Sequence, residues 1–251
     1  MAVLVTRPEI QGLELCQQLA EVGISAIHHP LIQIQAGVDL PLLLPDIHNC
    51  DIIIAVSQHA VTFSHQFLQD HRSFWPNEAR YLAVGQKTAH VLSKLSQQKV
   101  HYPAVSDSEH LLEMPLLQSI SGLKIMILRG NGGRELLHNT LTERGAKVTY
   151  KEVYQRTMLA FSANQHAQIW QQQNVHQLVV TSGEQLEFLV TQMSEIALPW
   201  LFNLHLFVPS ERIRQAALLM GFSCVTNVKS ASNTELVATL SQHKQDSKHD
   251  K

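Results

Sequence analysis

The sequence is poor in the features that announce the commonest chemistries. Of its 251 residues only three are cysteine, Cys16, Cys50 and Cys224, far apart and with no Cys-x-x-Cys pair. That disfavours a disulfide framework or a zinc ribbon and fits a reducing cytoplasm. Aromatics make up 6% and the formal net charge is −2, so the surface as a whole is no nucleic-acid footprint. No stretch approaches the ~20 apolar residues a membrane helix needs. The opening segment Met1 to Pro8 has no basic leader and too short an apolar run for a signal peptide. A cytoplasmic protein that avoids membranes and nucleic acid is expected. None of the fifteen histidines falls in His-x-x-x-His or His-Glu-x-x-His spacing, so no metal site is expected and the histidines read as scattered and solvated.

What is present is alternation. Ala2 to Val5, Asp51 to Val56, Tyr81 to Val84, Lys124 to Leu128, Leu178 to Thr181 and His205 to Val208 read as buried strands. Near-continuous apolar runs of this length suit parallel strands covered on both faces. Each precedes a stretch with apolar residues three or four apart, such as Leu13, Cys16 and Leu19, or Ile213, Ala216, Ala217 and Met220. The β-α alternation predicts an α/β architecture with right-handed crossovers.

The pattern is also doubled. Ile54 to Gln58 matches Val179 to Gly183 at a displacement of 125 residues, and Ala83 to Lys87 matches Phe207 to Glu211 at 124. Leu4 to Pro8 and Glu21 to Ser25 match Ile127 to Gly130 and Glu143 to Lys147, both displaced by 122. The order of the matches predicts a duplication: two parallel-sheet units of flavodoxin-like size, each near 125 residues. His29 to Gln35 and Tyr150 to Thr157 hold equivalent places, follow short strands and alternate with period 2, as a two-stranded linker would. One domain is therefore expected from residues 1–34 and 158–240, the other from 35–157. The polar tail 241–251 is expected to be disordered.

In open α/β sheets, ligands bind outside the carboxyl ends of the strands. Arg7 follows the first strand, and Ser57 the next. Gly85, Lys87 and Thr88 come after Val84; Arg129, Gly130 and Arg134 close the run from Lys124. Thr181 and Ser182, then Ser210 and Arg212, end the last two. Small residues, hydroxyls and basic side chains recur, a combination suited to anions through helix N-termini and bidentate arginine. Each serine can equally be a plain N-cap. A dinucleotide loop at Gly130-Asn131-Gly132-Gly133 fails because position 135 is Glu135, not glycine. Spacing nominates no Ser/His/Asp set or paired carboxylates, so catalysis would rest on positioning and hydrogen bonding. A two-lobed non-catalytic binding protein for a small anion remains the alternative.

Over Ala2 to Leu240 the chain resembles the uroporphyrinogen-III synthase family of tetrapyrrole biosynthesis. The resemblance rests on Val3 to Pro8, Ser57 to Val61, Ala83 to Ala89, Leu128 to Gly130 with Gly133 to Leu137, Val153 to Arg156, Val180 to Gly183 and Ser210 to Ile213. His59 departs from the asparagine frequent there, which puts one polar contact in doubt. The resemblance implies two α/β domains joined by a two-stranded ladder, no cofactor and no metal. The reaction it implies is cyclisation of hydroxymethylbilane, with inversion of the last pyrrole ring and loss of water. A polycarboxylate substrate suits the basic strand ends. Tyr154 matches a tyrosine the family places near its cleft, where the phenol could protonate the departing hydroxyl. A monomer is expected.

Overall fold

The computed structural model describes residues 2–249, with side chains to residue 244. In chain order it begins with β1 (Ala2–Val5), α1 (Glu9–Glu21), β2 (Ser25–His28) and β3 (Ile32–Ala36). Then come α2 (Leu43–Ile47), β4 (Ile52–Ala55), α3 (Gln58–Asp70), β5 (Arg80–Ala83), α4 (Gln86–Ser96), β6 (Val100–His101) and α5 (Ser108–Glu113). The middle of the chain supplies β7 (Lys124–Gly130), α6 (Leu136–Glu143), β8 (Lys147–Met158) and α7 (Ala163–Gln172). It closes with β9 (Val175–Val179), α8 (Gly183–Gln192), α9 (Leu198–Phe202), β10 (His205–Val208), α10 (Glu211–Met220), β11 (Cys224–Asn227) and α11 (Asn233–His249).

Two compact units result, one of Met1–Gln33 with Thr157–Lys251, the other of Ile34–Arg156. The first unit's sheet runs β11-β10-β9-β1-β2, with parallel neighbours throughout. The second runs β3-β8-β7-β4-β5-β6, parallel from β8 to β6. In chain order the first unit's set reads 2-1-3-4-5, the flavodoxin-like order with its switch between β1 and β9, whereas the second unit's parallel set reads 3-2-1-4-5 from β6, with its switch between β4 and β7.

Strand alternation explains why the runs are apolar throughout. In β1, Ala2 and Leu4 face one core cluster while Val3 and Val5 face the opposite one. In β4, Ile53 and Ala55 face one cluster and Ile52 and Ile54 the other. Both faces are roofed by helices, so no position is left for polar residues. Each such buried aliphatic side chain contributes about 1.5–3 kcal/mol.

The repeat acquires a structural form. Lys124 aligns with Ala2, Lys147 with Ser25, Val175 with Ile52, His205 with Arg80 and Cys224 with Val100 as strand starts, shifts of 122 to 125 residues. The first repeat sends β1 and β2 to one unit and β4 to β6 to the other. The second repeat does the converse with β7, β8 and β9 to β11. Each spatial unit is thus assembled from half of each repeat.

Several local expectations are corrected. The second linker segment does not follow a separate short strand: β8 runs unbroken for 12 residues. Between Lys147 and Met158 there is no glycine or proline, whereas Pro30, lacking an N–H, separates β2 from β3. The bonds Gly37 N–H to Val153 O (3.0 Å) and Leu159 N–H to Leu31 O (2.9 Å) set the two linker strands in opposite directions. In α1 the buried stripe is Gly12, Leu15 and Leu19, with Leu13 exposed. The strand expected at Leu178 to Thr181 begins earlier, at Val175, which pairs with Ala2.

Residues 241–249, expected to be disordered, continue α11; Asp250 and Lys251 lie outside the described residues. The extension has anchors: Ser241 Oγ donates to Val237 O (2.7 Å) and Lys244 Nζ to Gly23 O (2.6 Å). Nor are all the histidines solvated. The His29 ring lies within 5.0 Å of the Phe161, His166 and Trp170 rings, because adjacent His28 takes the opposite side and bonds the Arg7 carbonyl. Among the described residues no helix is long and apolar enough to cross a membrane.

Candidate active site

The richest chemistry gathers in the second unit, where the ends of β4 and β7 lie side by side at the sheet's switch point. Crevices at such points, outside the carboxyl ends of strands, are where open α/β sheets hold ligands. Two faces of the sheet supply two different settings there.

On one face stands Tyr154. Strict alternation along β8 would put it opposite Val153, yet both belong to the same core cluster. The register explains this: Arg129 pairs with Glu152 but Gly130 pairs with Tyr154, leaving Val153 as an extra residue. The bulge re-aims the tyrosine, as bulges beside functional sites do. Its ring then lies on Gly130, where an added Cβ would come within 2.5 Å of Cζ. Phe63 stacks at 6.2 Å and His59 lies at 5.6 Å, ring centre to ring centre. The Ser57 hydroxyl donates to the Tyr154 oxygen at 3.1 Å while accepting from Ala60 N–H. Tyr154 is 3% exposed, and its own proton has no acceptor among the described residues. Burial, then the charge of Arg156, lowers the His59 pKa, so its imidazole stays neutral beside the phenol.

On the opposite face Arg129 is 5% exposed, its guanidinium 4.3 Å above the centre of the Tyr150 ring. It donates to Glu135 Oε1 at 3.0 Å and to Gly130 O at 3.3 Å. The loop Asn131 to Arg134 folds over it through Gly132 and Gly133, at φ +103° and +118°, a backbone region that glycine tolerates without strain. Arg134 forms a two-point ion pair with Glu109, one arm at 3.0 Å.

The remaining strand ends are more conventional. Gly85 caps α4, and Ser106, lying where a Gly85 side chain would be, accepts from Gln86 N–H at 3.3 Å. Lys87 is exposed at the start of α4, on a pocket of about 540 Å³ shared with Gln58, Gln86, His90 and Tyr102. Thr88 is buried inside that helix. In the first unit Ser182 and Ser210 are N-caps, accepting from Gln185 and Ile213 N–H, as Ser57 does for α3. Thr181 donates to Gln185 Oε1 at 3.3 Å. Arg212 is exposed, with Nη1 3.7 Å from where a Gly183 Cβ would stand, at the start of α8.

Arg7 differs from the expectation of a substrate-facing cation. Its guanidinium is buried and donates to Ala231 O and Asn233 Oδ1, both at 2.6 Å, and to Gln11 Oε1 at 3.2 Å. It ties the end of β1 to the turn before α11. Sequence reasoning passed over Tyr150, Glu135 and Glu109. Glu135 carried one signal, standing next to Arg134; Tyr150 and Glu109 carried none, and Glu109 is 25 residues from its partner.

Comparison with known proteins gives these positions a context. Residues 14–238 match the family described as uroporphyrinogen-III synthase HemD. A uroporphyrinogen-III synthase of Escherichia coli is 40% identical over 245 residues, covering 96% of this chain and all of the relative. One from Proteus mirabilis is 36% identical over 198 residues, 77% of this chain and 98% of its own. Among solved structures, a mutant uroporphyrinogen III synthase of Thermus thermophilus matches with TM-score 0.65 at 18% identity, covering 97% of this chain and 99% of its own. A Helicobacter pylori uroporphyrinogen-III synthetase matches with TM-score 0.55 at 17% identity, over 95% and 98%. At these identities the two structures speak for the fold.

Proposed function

The chain belongs to the uroporphyrinogen-III synthase family, and from that premise we propose how its own residues serve the reaction. It is an enzyme of tetrapyrrole biosynthesis. The reaction is closure of hydroxymethylbilane to uroporphyrinogen III with the last pyrrole ring inverted. Water is lost, which makes the enzyme a carbon-oxygen lyase. A purely anion-binding, non-catalytic role is not favoured by the 40% identity to a synthase over most of the chain.

The observation that carries the mechanism is the triple contact of Tyr154 with Ser57, Gly130 and Phe63. The Ser57 hydroxyl occupies the phenol oxygen as donor, so the phenol proton is left to be given away. We assign that proton to the hydroxyl leaving the terminal pyrrole: the C–O bond breaks, water departs, and the electron-poor carbon bonds to the substituted α-carbon of the last ring. The older bond from that α-carbon to its bridging methylene then breaks, the methylene rejoins at the ring's free α-carbon, and the proton lost there returns to the Tyr154 phenolate. Little covalent help is needed. The protein must hold the flexible chain so that attack comes from the carbon that inverts the last ring rather than from simple head-to-tail closure. Ser57, Gly85, Lys87, Thr88, Arg129, Gly130, Arg134, Thr181, Ser182, Ser210 and Arg212 are proposed to line the path of the substrate. Arg7 leaves that set, given its internal bonds. The proposal invokes no cofactor and takes the enzyme to be a monomer, working in the cytoplasm, where free cysteines such as these three stay reduced.

Incubation with hydroxymethylbilane and separation of the oxidised products tests the reading. Isomer III as the main product is expected; isomer I alone would overturn it. Tyr154→Phe should reduce turnover at least about tenfold, within the range of a lost general acid. An unchanged rate in a folded variant would remove Tyr154 from the mechanism.

A further inference from the structure

The pocket bounded by Arg129, Arg134, Gly132, Gly133, Ser108 and Tyr150 has a volume of about 110 Å³. At ~30 Å³ of liquid volume per water, it has room for three or four waters, the size of a carboxyl group with a methylene or two. Two cations border it, but each is already answered by a carboxylate of the chain.

Those carboxylates are poorly committed. The Arg129 side chain is 7% exposed and fixed from beneath by the Tyr150 ring and the Gly130 carbonyl. A cation so covered requires a counter-charge. Glu135, which provides it, is 56% exposed. It stands at the N-cap position of α6 without making a cap bond; Arg129 holds it at 3.0 Å, and the Tyr150 hydroxyl is its second, looser partner. Arg134 and Glu109 are both largely exposed, so their two-point pair is open to solvent and to competing anions. The arginine of the buried pair cannot leave, whereas its glutamate can swing into water. The Tyr150 hydroxyl is sealed from solvent and has only a loose contact with Glu135; burial first, then that contact, raises the phenol's pKa. Gly133 permits the loop to pass close above Arg129, since an added Cβ would stand 3.1 Å from Nη2.

We propose that this pocket is a subsite for one carboxylate-bearing arm of the substrate, held shut in the free enzyme by Glu135 and Glu109 as placeholders that the arm displaces. The proposal rests on the synthase reading for the identity of the ligand. It requires a proton-neutral exchange of one carboxylate for another on the same guanidinium, with no bond formed or broken beyond hydrogen bonds.

The sign of the effect separates a placeholder from a structural ion pair. Removing the competing charge with Glu135→Gln should lower KM for hydroxymethylbilane about three- to tenfold. It should also tighten binding of uroporphyrin I, a non-reacting octacarboxylate, followed by its fluorescence. Arg134→Gln, an exposed change that leaves the core intact, should raise both values. Arg129→Met should raise them further, with circular dichroism reporting whether it remains folded. An unchanged or weakened uroporphyrin affinity in Glu135→Gln would overturn the proposal, as would indifference of both values to Arg134→Gln. The isomer ratio from the wild type is read separately. Tighter uroporphyrin binding in Glu135→Gln together with isomer I alone would leave the subsite standing and sink the synthase reading.

Discussion

Tyr154 owes its position to one supernumerary residue and one missing side chain. Val153 shifts the register so that the ring crosses to the face of Ser57, and Gly130 leaves the space into which it settles. Gly130→Ala would push a methyl to within 2.5 Å of the ring carbon. Forced overpacking of this kind costs typically about 1–3 kcal/mol. Turnover should fall together with thermal stability; a variant that melts and turns over like the wild type would show that the ring is not seated there. The tyrosine and the glycine were both legible in the sequence, the first from its family match and the second as the end of a strand. The bulge was not, because Val153 and Tyr154 are each good strand residues and nothing local marks which one is surplus. Arg7 shows the same limit from the other side. A basic residue after a strand looks ready for an anion, but its partners Ala231 and Asn233 are 224 and 226 residues away.

At the scale of elements, three helices open in one manner. Ser57, Ser182 and Ser210 have extended backbones and side chains that accept from the third residue on. Replacing such a cap with alanine costs about 1 kcal/mol. Ser182→Ala and Ser210→Ala should show similar losses in denaturant midpoint. Ser57→Ala should show the same loss of stability but a larger fall in turnover than the other two, because only Ser57 also holds the Tyr154 oxygen. Equal turnover losses in all three would argue against a special tie to the phenol. The helix starts were readable from hydroxyls placed just after apolar runs. Which hydroxyl has a second partner was not, since Ser57 and Tyr154 are 97 residues apart. The linker strands split similarly: Pro30 ends β2 visibly, while the length of β8 depends on having β7 beside it along Lys124 to Gly130.

For the whole molecule, the doubled pattern was visible as displacements of 122 to 125 residues and the twin linkers already implied an exchange of halves, but the strand order inside each sheet was not visible. Either partner for β1 satisfies its apolar faces, and only the sheet order shows that it pairs with β9 and β2. Both apolar clusters of the second unit draw on Leu40 to Tyr154 alone. The segment Ile34–Arg156, expressed by itself, should therefore unfold cooperatively on heating, followed by far-UV circular dichroism. A segment ending at His101 and containing only the first repeat should not. Acid stability follows from linkage. Burial first, then His166 and His28, lower the His29 pKa to about 4 from 6.5. The unfolded chain then binds the extra proton between those values, so His29 adds stability that is complete above pH 6.5 and is lost as pH falls through about 4. His65 and His205, also lowered by burial, act in the same sense, and exposed His110, raised by Asp107, acts in the opposite one. His29→Gln should flatten the fall in urea midpoint between pH 6.5 and 4.5, and an equally steep fall would exclude His29 as its source. The exchange of halves also sets a timetable for synthesis. β1 leaves the ribosome first, yet its neighbour β9 lies 173 residues downstream. At roughly 5–20 residues per second the wait is about ten to thirty seconds. During it the contiguous second unit can fold, while Ala2 to Val5, with β2 on one side only, wait with the other edge open, a window in which a nascent-chain chaperone has something to hold.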